Sequence, residues 1–255
     1  MSALCDISFI TPVYNEADNI AAMLSNLHAV LRSHPHWKSE VIIIEDGSTD
    51  GTRKVILEEI KKYPQSQLIL HDQNQGYTPS LKEGLAKAKG RFLMYIGADE
   101  EFDSSELPFF VEPLLAGEAD IVLGVRWQRN AYRLFRFFLS VIYIFLLNYL
   151  FKMRINDYNW SQAWSRDLMD HIHLTSRSLF ILPEIIIKAH DLKYRVKEVP
   201  SNHRGRKAGK SSVNMRIMGF ALWEALKFWR LRDSAAYAPS KDRPRKSEPE
   251  LTPHR

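Results

Sequence analysis

The chain has 255 residues, of which 45% are hydrophobic, so it is long enough for one domain of ordinary size with a sizeable core. Lysine and arginine total 35 against 30 acidic residues, and a formal charge of +5 does not by itself indicate a nucleic-acid partner. A single cysteine, Cys5, excludes an internal disulfide and fits a reducing compartment.

The first half of the chain alternates strand-like and helix-like segments. Five short apolar runs predict strands, at 7–10, 41–44, 68–70, 92–96 and 121–125. Apolar residues at helical spacing predict helices between them, one that begins at Asp18 as its N-cap and others at 52–63, 78–89 and 107–115. Gly90 is expected to end the third of these helices. The alternation predicts an α/β fold with a mostly parallel sheet flanked by helices.

Polar clusters follow three of the predicted strands, at 11–16, 45–50 and 97–103. Ligands of parallel sheets bind beyond the carboxyl ends of the strands. The sequence therefore predicts a ligand site at this edge of the sheet.

The second half is more helical and more basic. The apolar segment 137–151 would reach about 22 Å as a helix, short of the roughly 30 Å hydrocarbon layer, so we expect an interfacial or buried helix. The segment 213–232 mixes tryptophans with basic residues, a pattern typical of a helix on a membrane surface. Prolines and charges after residue 232 predict a disordered tail. We expect one domain over 1–232, with two parts at 1–126 and 127–232, followed by the tail 233–255.

Seven motifs stand in order along the chain: TPVYNE at 11–16, EDGSTDGT at 45–52, NQG at 74–76, GADEEFD at 97–103, GVR at 124–126, DYN at 157–159 and, after Glu184, HRGRKAGKS at 203–211. Together they resemble the family 2 glycosyltransferases, inverting enzymes with the Rossmann-like GT-A fold. Dolichyl-phosphate mannosyltransferases and bacterial polyprenyl-phosphate relatives are the most similar members. The resemblance covers residues 5 to about 230. It implies that 1–126 is the half that binds the nucleotide sugar and that 127–232 is the half near the acceptor and the membrane.

The first two motifs hold the base and ribose of the donor in that family. The resemblance implies this role for Glu16 and Asp46, with Pro12 and Tyr14 shaping the pocket. The alternative is that Asp46 and Asp50 only form a turn before a helix, which an Asp-Gly pair favours.

The fourth motif corresponds to the family's Asp-X-Asp, which contacts the donor and its metal. Gly97 replaces the first aspartate, whereas Ala98 and Asp99 remain as donor-binding residues. Asp99 and Glu101 are the expected ligands of Mg²⁺ or Mn²⁺, because both metals prefer oxygen ligands. Glu101 could restore the lost charge, or Glu100 could shift the register. A solvated acidic loop, or an inactive form with weak metal binding, is the alternative that Gly97 leaves open.

Later motifs imply contacts with phosphate and acceptor. Arg126 matches an arginine near the donor phosphates, with a surface salt bridge as the alternative. Asp157 matches an acidic residue of the acceptor region and is the candidate catalytic base if the acceptor is a hydroxyl. Trp160 departs from the family pattern there, so the acceptor pocket is expected to differ. In the basic run, Arg206 and Ser211 fit a loop that covers the donor, and a solvated basic surface is the alternative.

The sequence thus predicts transfer of a sugar from a UDP- or GDP-linked donor to a polyprenyl or dolichyl phosphate. The protein is expected to be cytoplasmic and peripheral on the inner face of the membrane, and a membrane-protein partner is possible. Transfer to a glycan hydroxyl in envelope polysaccharide assembly and a donor-binding pseudoenzyme stay open. A nucleic-acid partner is not expected, because the aromatic residues lie on apolar helices.

Overall fold

The computed structural model describes residues 5–126, 134–205 and 215–232. Its strands are β1 (Ile7–Val13), β2 (Ser39–Glu45), β3 (Ser66–Leu70), β4 (Phe92–Tyr95), β5 (Ile121–Arg126), β6 (Gln162–Ser165) and β7 (Val196–Ser201). Its α-helices are α1 (Ile20–Ser33), α2 (Thr52–Glu59), α3 (Tyr77–Lys87), α4 (Leu107–Leu115), α5 (Leu134–Phe151), α6 (Arg166–His171), α7 (Ile181–Asp191) and α8 (Met215–Leu231). Short 3₁₀ turns follow α2 and precede α4, at Ile60–Lys62 and Ser104–Glu106.

The strands form one seven-stranded sheet in the order β3-β2-β1-β4-β6-β5-β7. All pairs are parallel except those of β6, which runs antiparallel to β4 and to β5. The expected mostly parallel sheet is confirmed. The strands β6 and β7 lie beyond the five that the sequence predicts.

Alternate residues of the central strands pack on opposite faces of the sheet. In β2, Ile42 and Ile44 belong to the core beneath α3, α5 and α7, whereas Val41 and Ile43 pack against α1 and α4. All four side chains are buried, which explains the unbroken β-branched run. Helices therefore cover both faces of the sheet and leave its carboxyl edge to the loops.

Two local predictions are wrong. Asp18 is not a helix cap: α1 begins at Ile20, and backbone amides of residues 19 and 20 donate instead to the carbonyl of Glu16. Gly90 does not end α3, which stops at Lys87. A Cβ at Gly90 would lie 2.6 Å from the Ser8 amide nitrogen, so the glycine permits close approach to β1.

The C-terminal amphipathic helix is present as α8, and it packs on α5. The rings of Phe151 and Phe228 lie 5.9 Å apart between the two helices, and Leu147 and Ala225 are buried in the same core. Among the residues that the structure describes, no helix is both long and apolar enough to cross a membrane. The predicted tail at 233–255 lies outside the described residues.

Candidate functional site

The loops after β1 and β2 are joined by hydrogen bonds at the carboxyl edge of the sheet. The Asn15 amide donates to Ser48 Oγ over 3.0 Å, and the Thr49 amide donates to Asn15 Oδ1 over 2.8 Å. The Glu16 amide donates to Thr52 Oγ1 over 2.8 Å. The first motif is thereby fixed against the second, with Pro12 half-buried and Tyr14 exposed.

Asp46 follows β2 and is buried, with three hydrogen-bond donors around its carboxylate. Oδ1 accepts from His71 Nδ1 at 2.7 Å and from the Gln75 amide at 2.8 Å, and Oδ2 accepts from the Gly76 amide at 2.8 Å. The alternative was that the two aspartates only form a turn before a helix. It holds for Asp50, whose Oδ1 accepts a hydrogen bond from the Thr52 amide at 2.8 Å. Asp46 instead fixes the loop 71–76 across the edge of the sheet.

His71 lies between two carboxylates. Its Nδ1 contacts Asp46, and its Nε2 lies 2.8 Å from Glu83 Oε2 on α3. A ring that donates from both nitrogens carries two protons and a positive charge. Burial alone would lower the pKa of His71, but the hydrogen bonds and charges of Asp46 and Glu83 outweigh it, and the pKa is raised. The sequence reasoning missed His71 and Glu83, although the position of His71 directly after β3 was a usable signal.

Asp99 follows β4 in the acidic loop 97–103. Its Oδ1 accepts from the Glu101 amide at 3.2 Å. Burial raises the pKa of the nearby Tyr95 hydroxyl, and the charges of Asp99, Glu101 and Glu16 raise it further. A Cβ at Gly97 would lie 3.1 Å from Asp99 Oδ1, so the glycine leaves that oxygen room. Glu100 accepts a hydrogen bond from Asn26 of α1.

The start of the basic run is attached to this acidic loop. The Arg204 amide donates to the Glu101 carbonyl at 2.9 Å, and His203 Nε2 lies 3.3 Å from Glu101 Oε2. Arg204 also forms an ion pair with Asp103. The predicted donor-covering residues Arg206 and Ser211 lie outside the described residues. The part that is described thus brings His203 and Arg204 beside Glu101, one of the expected metal ligands.

The acidic loop suits one mode of metal binding. No group of three or more histidine, cysteine, aspartate and glutamate side chains forms a metal site within the described ranges. Mg²⁺ is commonly bound through one or two carboxylates together with substrate phosphates and water. Asp99 and Glu101, partly exposed at the edge of the sheet, fit that mode.

Arg126 and Asp157 form a buried bidentate ion pair. Arg126 Nε donates to Asp157 Oδ2 at 2.7 Å, and its Nη2 donates to Oδ1 at 2.8 Å. The guanidinium lies 4.9 Å from the ring of Trp160, which in turn contacts His203 edge-on at 5.3 Å. Trp160 Nε1 donates to Ser201 Oγ at 2.8 Å. Arg126 therefore makes a salt bridge as the alternative supposed, but a buried one, linked through Trp160 to the acidic loop.

Glu184 stabilises the chain before α7. Its carboxylate forms a 2.8 Å ion pair with Lys188 and accepts the amides of Thr175 and Ser176 at 2.9 and 2.8 Å. Burial alone would raise the pKa of Glu184, but Lys188 and these hydrogen bonds lower it. These contacts give Glu184 a structural role.

Comparison with known proteins identifies the class. The model of glycosyl transferase family 2 matches residues 8–181, so the chain belongs to this family and is a glycosyltransferase. The fold resembles glucosyl-3-phosphoglycerate synthase from Mycobacterium tuberculosis, with a TM-score of 0.67 and 18% identity over 89% of this chain and 78% of that one. That structure was determined with Mn²⁺, UDP and glucosyl-3-phosphoglycerate. It confirms the GT-A fold.

Two curated relatives are similar in sequence. Dodecaprenyl-phosphate galacturonate synthase of Rhizobium johnstonii is 25% identical over 221 residues, which cover 82% of this chain and 62% of the relative. Glycosyltransferase AglE of Haloferax volcanii is 31% identical over 98 residues, 38% of this chain and 32% of that protein. The chain thus spans less than two thirds of the length of these relatives.

Proposed function

We propose that this glycosyltransferase inverts the sugar configuration while it moves a sugar from a nucleotide-diphosphate donor to a polyprenyl or dolichyl phosphate at the cytoplasmic membrane face. The observation that carries the proposal is the attachment of the basic segment that begins at His203 to the acidic loop, which contains Asp99 and Glu101. A diphosphate leaving group needs cationic partners as its charge develops. The name of the Rhizobium relative supports a polyprenyl-phosphate acceptor.

The residues at the carboxyl edge of the sheet have separate roles in this proposal. Glu16 and Asp46 bind the nucleoside, with Pro12, Tyr14 and Ala98 lining its pocket. Asp99 and Glu101 hold Mg²⁺ or Mn²⁺, which would neutralise charge on the departing diphosphate. The metals and UDP named for the Mycobacterium structures support this assignment. Arg206 and Ser211 cover the donor.

The Arg126–Asp157 pair favours a phosphate acceptor over a hydroxyl. A hydroxyl acceptor needs a general base, and Asp157 is the candidate. Both oxygens of Asp157 accept hydrogen bonds from Arg126, so proton uptake would require this buried pair to open. A lipid phosphate is already an anion and needs no base. In the proposed reaction Asp157 therefore fixes the direction of Arg126, near the path of the incoming phosphate.

The acceptor is brought to the enzyme by a surface on α5 and α8. Both helices expose large apolar side chains: Phe138, Val141, Ile142, Phe145 and Tyr149 on α5, and Phe220, Trp223, Leu226 and Trp229 on α8. Phe145 and Tyr149 are 71% and 74% exposed, an unusual degree for such residues in a soluble monomer. Exposed cations accompany them: Lys152, Arg154, Arg216, Lys227 and Arg230. Apolar and cationic residues together suit an anionic lipid surface.

A mass-spectrometric transfer assay tests the reaction. Purified protein is mixed with a panel of nucleotide sugars, polyprenyl phosphate and Mg²⁺ or Mn²⁺. We expect a glycosyl-phosphoryl lipid whose formation falls at least about a hundredfold in Asp99→Ala. Asp170→Asn, an exposed change on α6, is the matched control and should retain activity. Product that forms equally well in Asp99→Ala or without metal would contradict the metal site.

Vesicle sedimentation tests the membrane surface. Vesicles of phosphatidylcholine with phosphatidylglycerol should bind the wild type, and the double change Phe145→Ser/Trp223→Ser should weaken binding about tenfold or more. Phe109→Ser removes a ring of intermediate exposure, 58% against 71% for Phe145 and 54% for Trp223, from α4 on the other side of the sheet and serves as control. Equal loss in the control would contradict a localised surface.

A second candidate follows from Gly97. The missing carboxylate supports a form that binds the donor and transfers slowly or not at all, and a glycan hydroxyl is the other acceptor to be tested. Thermal stabilisation by a nucleotide sugar, with no product on either acceptor, would favour the pseudoenzyme. Product on a glycan but not on the lipid would favour the hydroxyl acceptor and return Asp157 to the role of base.

A further inference from the structure

Trp160, the residue that departs from the family pattern, lies where three parts of the site meet. Its ring contacts Phe102 of the acidic loop at 6.4 Å between centroids and His203 of the basic segment at 5.3 Å. The Arg126 guanidinium lies over the indole, 4.9 Å from the ring centroid. Trp160 is only 8% exposed, so these contacts are shielded from water. The indole is therefore in a position to affect the acceptor arginine.

The indole is held in one orientation by its hydrogen bonds and by the shape of β5. Trp160 Nε1 donates to Ser201 Oγ at 2.8 Å, and the Ser201 hydroxyl donates to Glu106 Oε2 at 2.7 Å. Gly124 of β5 lies against the ring, and a Cβ there would come within 2.7 Å of Trp160 Cδ1. A glycine at this strand position permits the close approach. The site is thus fitted to a tryptophan, since the hydrogen bond requires the indole N–H.

Asp157 and Trp160 fix the guanidinium of Arg126 in different directions. The two hydrogen bonds to Asp157 align one edge of the guanidinium with the carboxylate. A bidentate pair of this kind does little to oppose a tilt out of the carboxylate plane. Contact with an aromatic face opposes that tilt, and indole attracts a cation more strongly than the other aromatic side chains, above all where water is excluded.

We propose that Trp160 is a positioning residue for the transfer reaction, whose indole face holds Arg126 in the direction that receives the acceptor phosphate. The inference rests on the proposed function, in which Arg126 lies near the path of that phosphate. Trp160 acts through Arg126 and does not itself contact the acceptor. A phosphate gains more than a neutral hydroxyl from a cation that is fixed in advance, so this tryptophan favours a phosphate acceptor.

Fluorinated tryptophans incorporated at position 160 alone test the indole face with little change in its shape. Each fluorine withdraws electron density from the face and weakens its attraction for a cation, while the N–H is retained. In the transfer assay with polyprenyl phosphate, kcat/KM for the lipid should fall stepwise from the unmodified to the trifluorinated ring, by about tenfold over the series. The affinity for the nucleotide sugar, measured by calorimetry with Mn²⁺, should change less than about twofold. A kcat/KM that does not respond to fluorination would overturn the inference.

Trp37 provides the matched control. It is likewise buried, at 3% exposure, and its Nε1 donates to one carboxylate oxygen, Glu112 Oε1, at 2.9 Å. It precedes β2 and therefore lies at the amino edge of the sheet, whereas Arg126 lies at the carboxyl edge. The same fluorinated series at position 37 should leave kcat/KM unchanged. A parallel decline at position 37 would show a general effect of fluorination and overturn the inference.

Substitutions at position 160 separate the ring face from the hydrogen bond. Trp160→Phe keeps an aromatic face and loses the N–H, and Trp160→Leu loses both. If the face positions Arg126, Trp160→Phe should retain about fivefold more of the wild-type kcat/KM than Trp160→Leu. Thermal unfolding of both variants measures the accompanying loss of stability. Equal kcat/KM in two variants of equal stability would show that the residue only fills space.

The wild-type protein separates this inference from the proposed function. If it forms the glycosyl-phosphoryl lipid and fluorination at position 160 has no effect, the positioning role alone is overturned. If it forms no such lipid with any nucleotide sugar in the panel, the proposed function is overturned, and the inference with it.

Discussion

The donor half (1–126) and the C-terminal helices α5 and α8 of this glycosyltransferase are built differently, and the proposed function assigns them different partners. In the donor half, loops are fixed by short hydrogen bonds, and Asp46 alone accepts three of them. On α5 and α8, large apolar side chains such as Phe145 and Trp223 are exposed. A nucleotide requires polar atoms placed in advance, because an unmatched polar group is costly. A lipid surface requires apolar area and charge and tolerates imprecise positions.

Breaking the ion pair that joins the two regions should have the largest effect. Arg126 ends β5 and the donor half, Asp157 lies in the segment that connects α5 to β6, and both are buried. Arg126→Ala leaves Asp157 without its guanidinium, and we expect about 3–5 kcal/mol of lost unfolding free energy in urea denaturation. The double change Arg126→Ala/Asp157→Ala should lose less than the sum of the single changes. A loss below about 1 kcal/mol in Arg126→Ala would show that the pair does not join the regions energetically.

A buried histidine makes the donor half sensitive to acid. Burial, and then the charge of Arg32, lowers the pKa of His28 from 6.5 to about 4. Between these values the unfolded state binds the proton more readily, so stability is complete above pH 6.5 and falls as the pH approaches 4. We expect a loss of about 1–2 kcal/mol at pH 5 relative to pH 7 by urea denaturation. His28→Gln should lack this part of the pH dependence, and an identical pH profile would contradict the assignment.

Gly84 tests how tightly the donor half is packed. A Cβ at this position of α3 would lie 2.4 Å from Ile10 Cγ2 and 2.8 Å from Ile44 Cδ1. Gly84→Ala should therefore destabilise the fold by about 1–3 kcal/mol despite the better helix propensity of alanine. Thermal unfolding measures this loss of stability. An unchanged melting temperature would mean that β1 and β2 repack freely around the added methyl group.

Gly219 on α8 is the matched change in the other region. A Cβ there would meet nothing within 4 Å. Gly219→Ala should stabilise the fold by about 0.5–1 kcal/mol, because alanine favours helix where nothing obstructs it. A loss of stability in Gly84→Ala together with a gain in Gly219→Ala would sharpen the contrast between the regions. Destabilisation at both would contradict it.

Much of this architecture could be predicted from sequence, because β-branched runs and strand-end polarity are local signals. Five of the seven strands follow from such runs. β6 was missed because its four residues include Gln162 and Ser165, which are buried with satisfied hydrogen bonds. The expectation that ligands bind beyond the carboxyl ends of parallel strands also placed Asp46, Asp99 and Arg126 at one edge of the sheet.

The partners of these residues could not be predicted in the same way. Asp46 accepts hydrogen bonds from backbone amides 29 and 30 residues further on, and Arg126 is paired 31 residues away. These contacts depend on how neighbouring strands approach in the sheet, and no motif spacing encodes that approach. For the same reason the position of His71 between two carboxylates became visible only in three dimensions.

The antiparallel strand β6 fixes the end of one long connection in the described sheet. Because β5 and β6 are antiparallel neighbours, the chain between them is a hairpin with an oversized loop that contains α5 and ends at Asp157 and Trp160. Both ends of such a loop are fixed by the sheet, and lengthening it costs little closure entropy. Under the proposed function, insertions or replacements within it would alter the acceptor and the membrane contact while the donor edge stays in register. The fold thus contains a natural exchange point, and chimaeras joined at the ends of β5 and β6 should inherit the acceptor of one parent and the donor of the other.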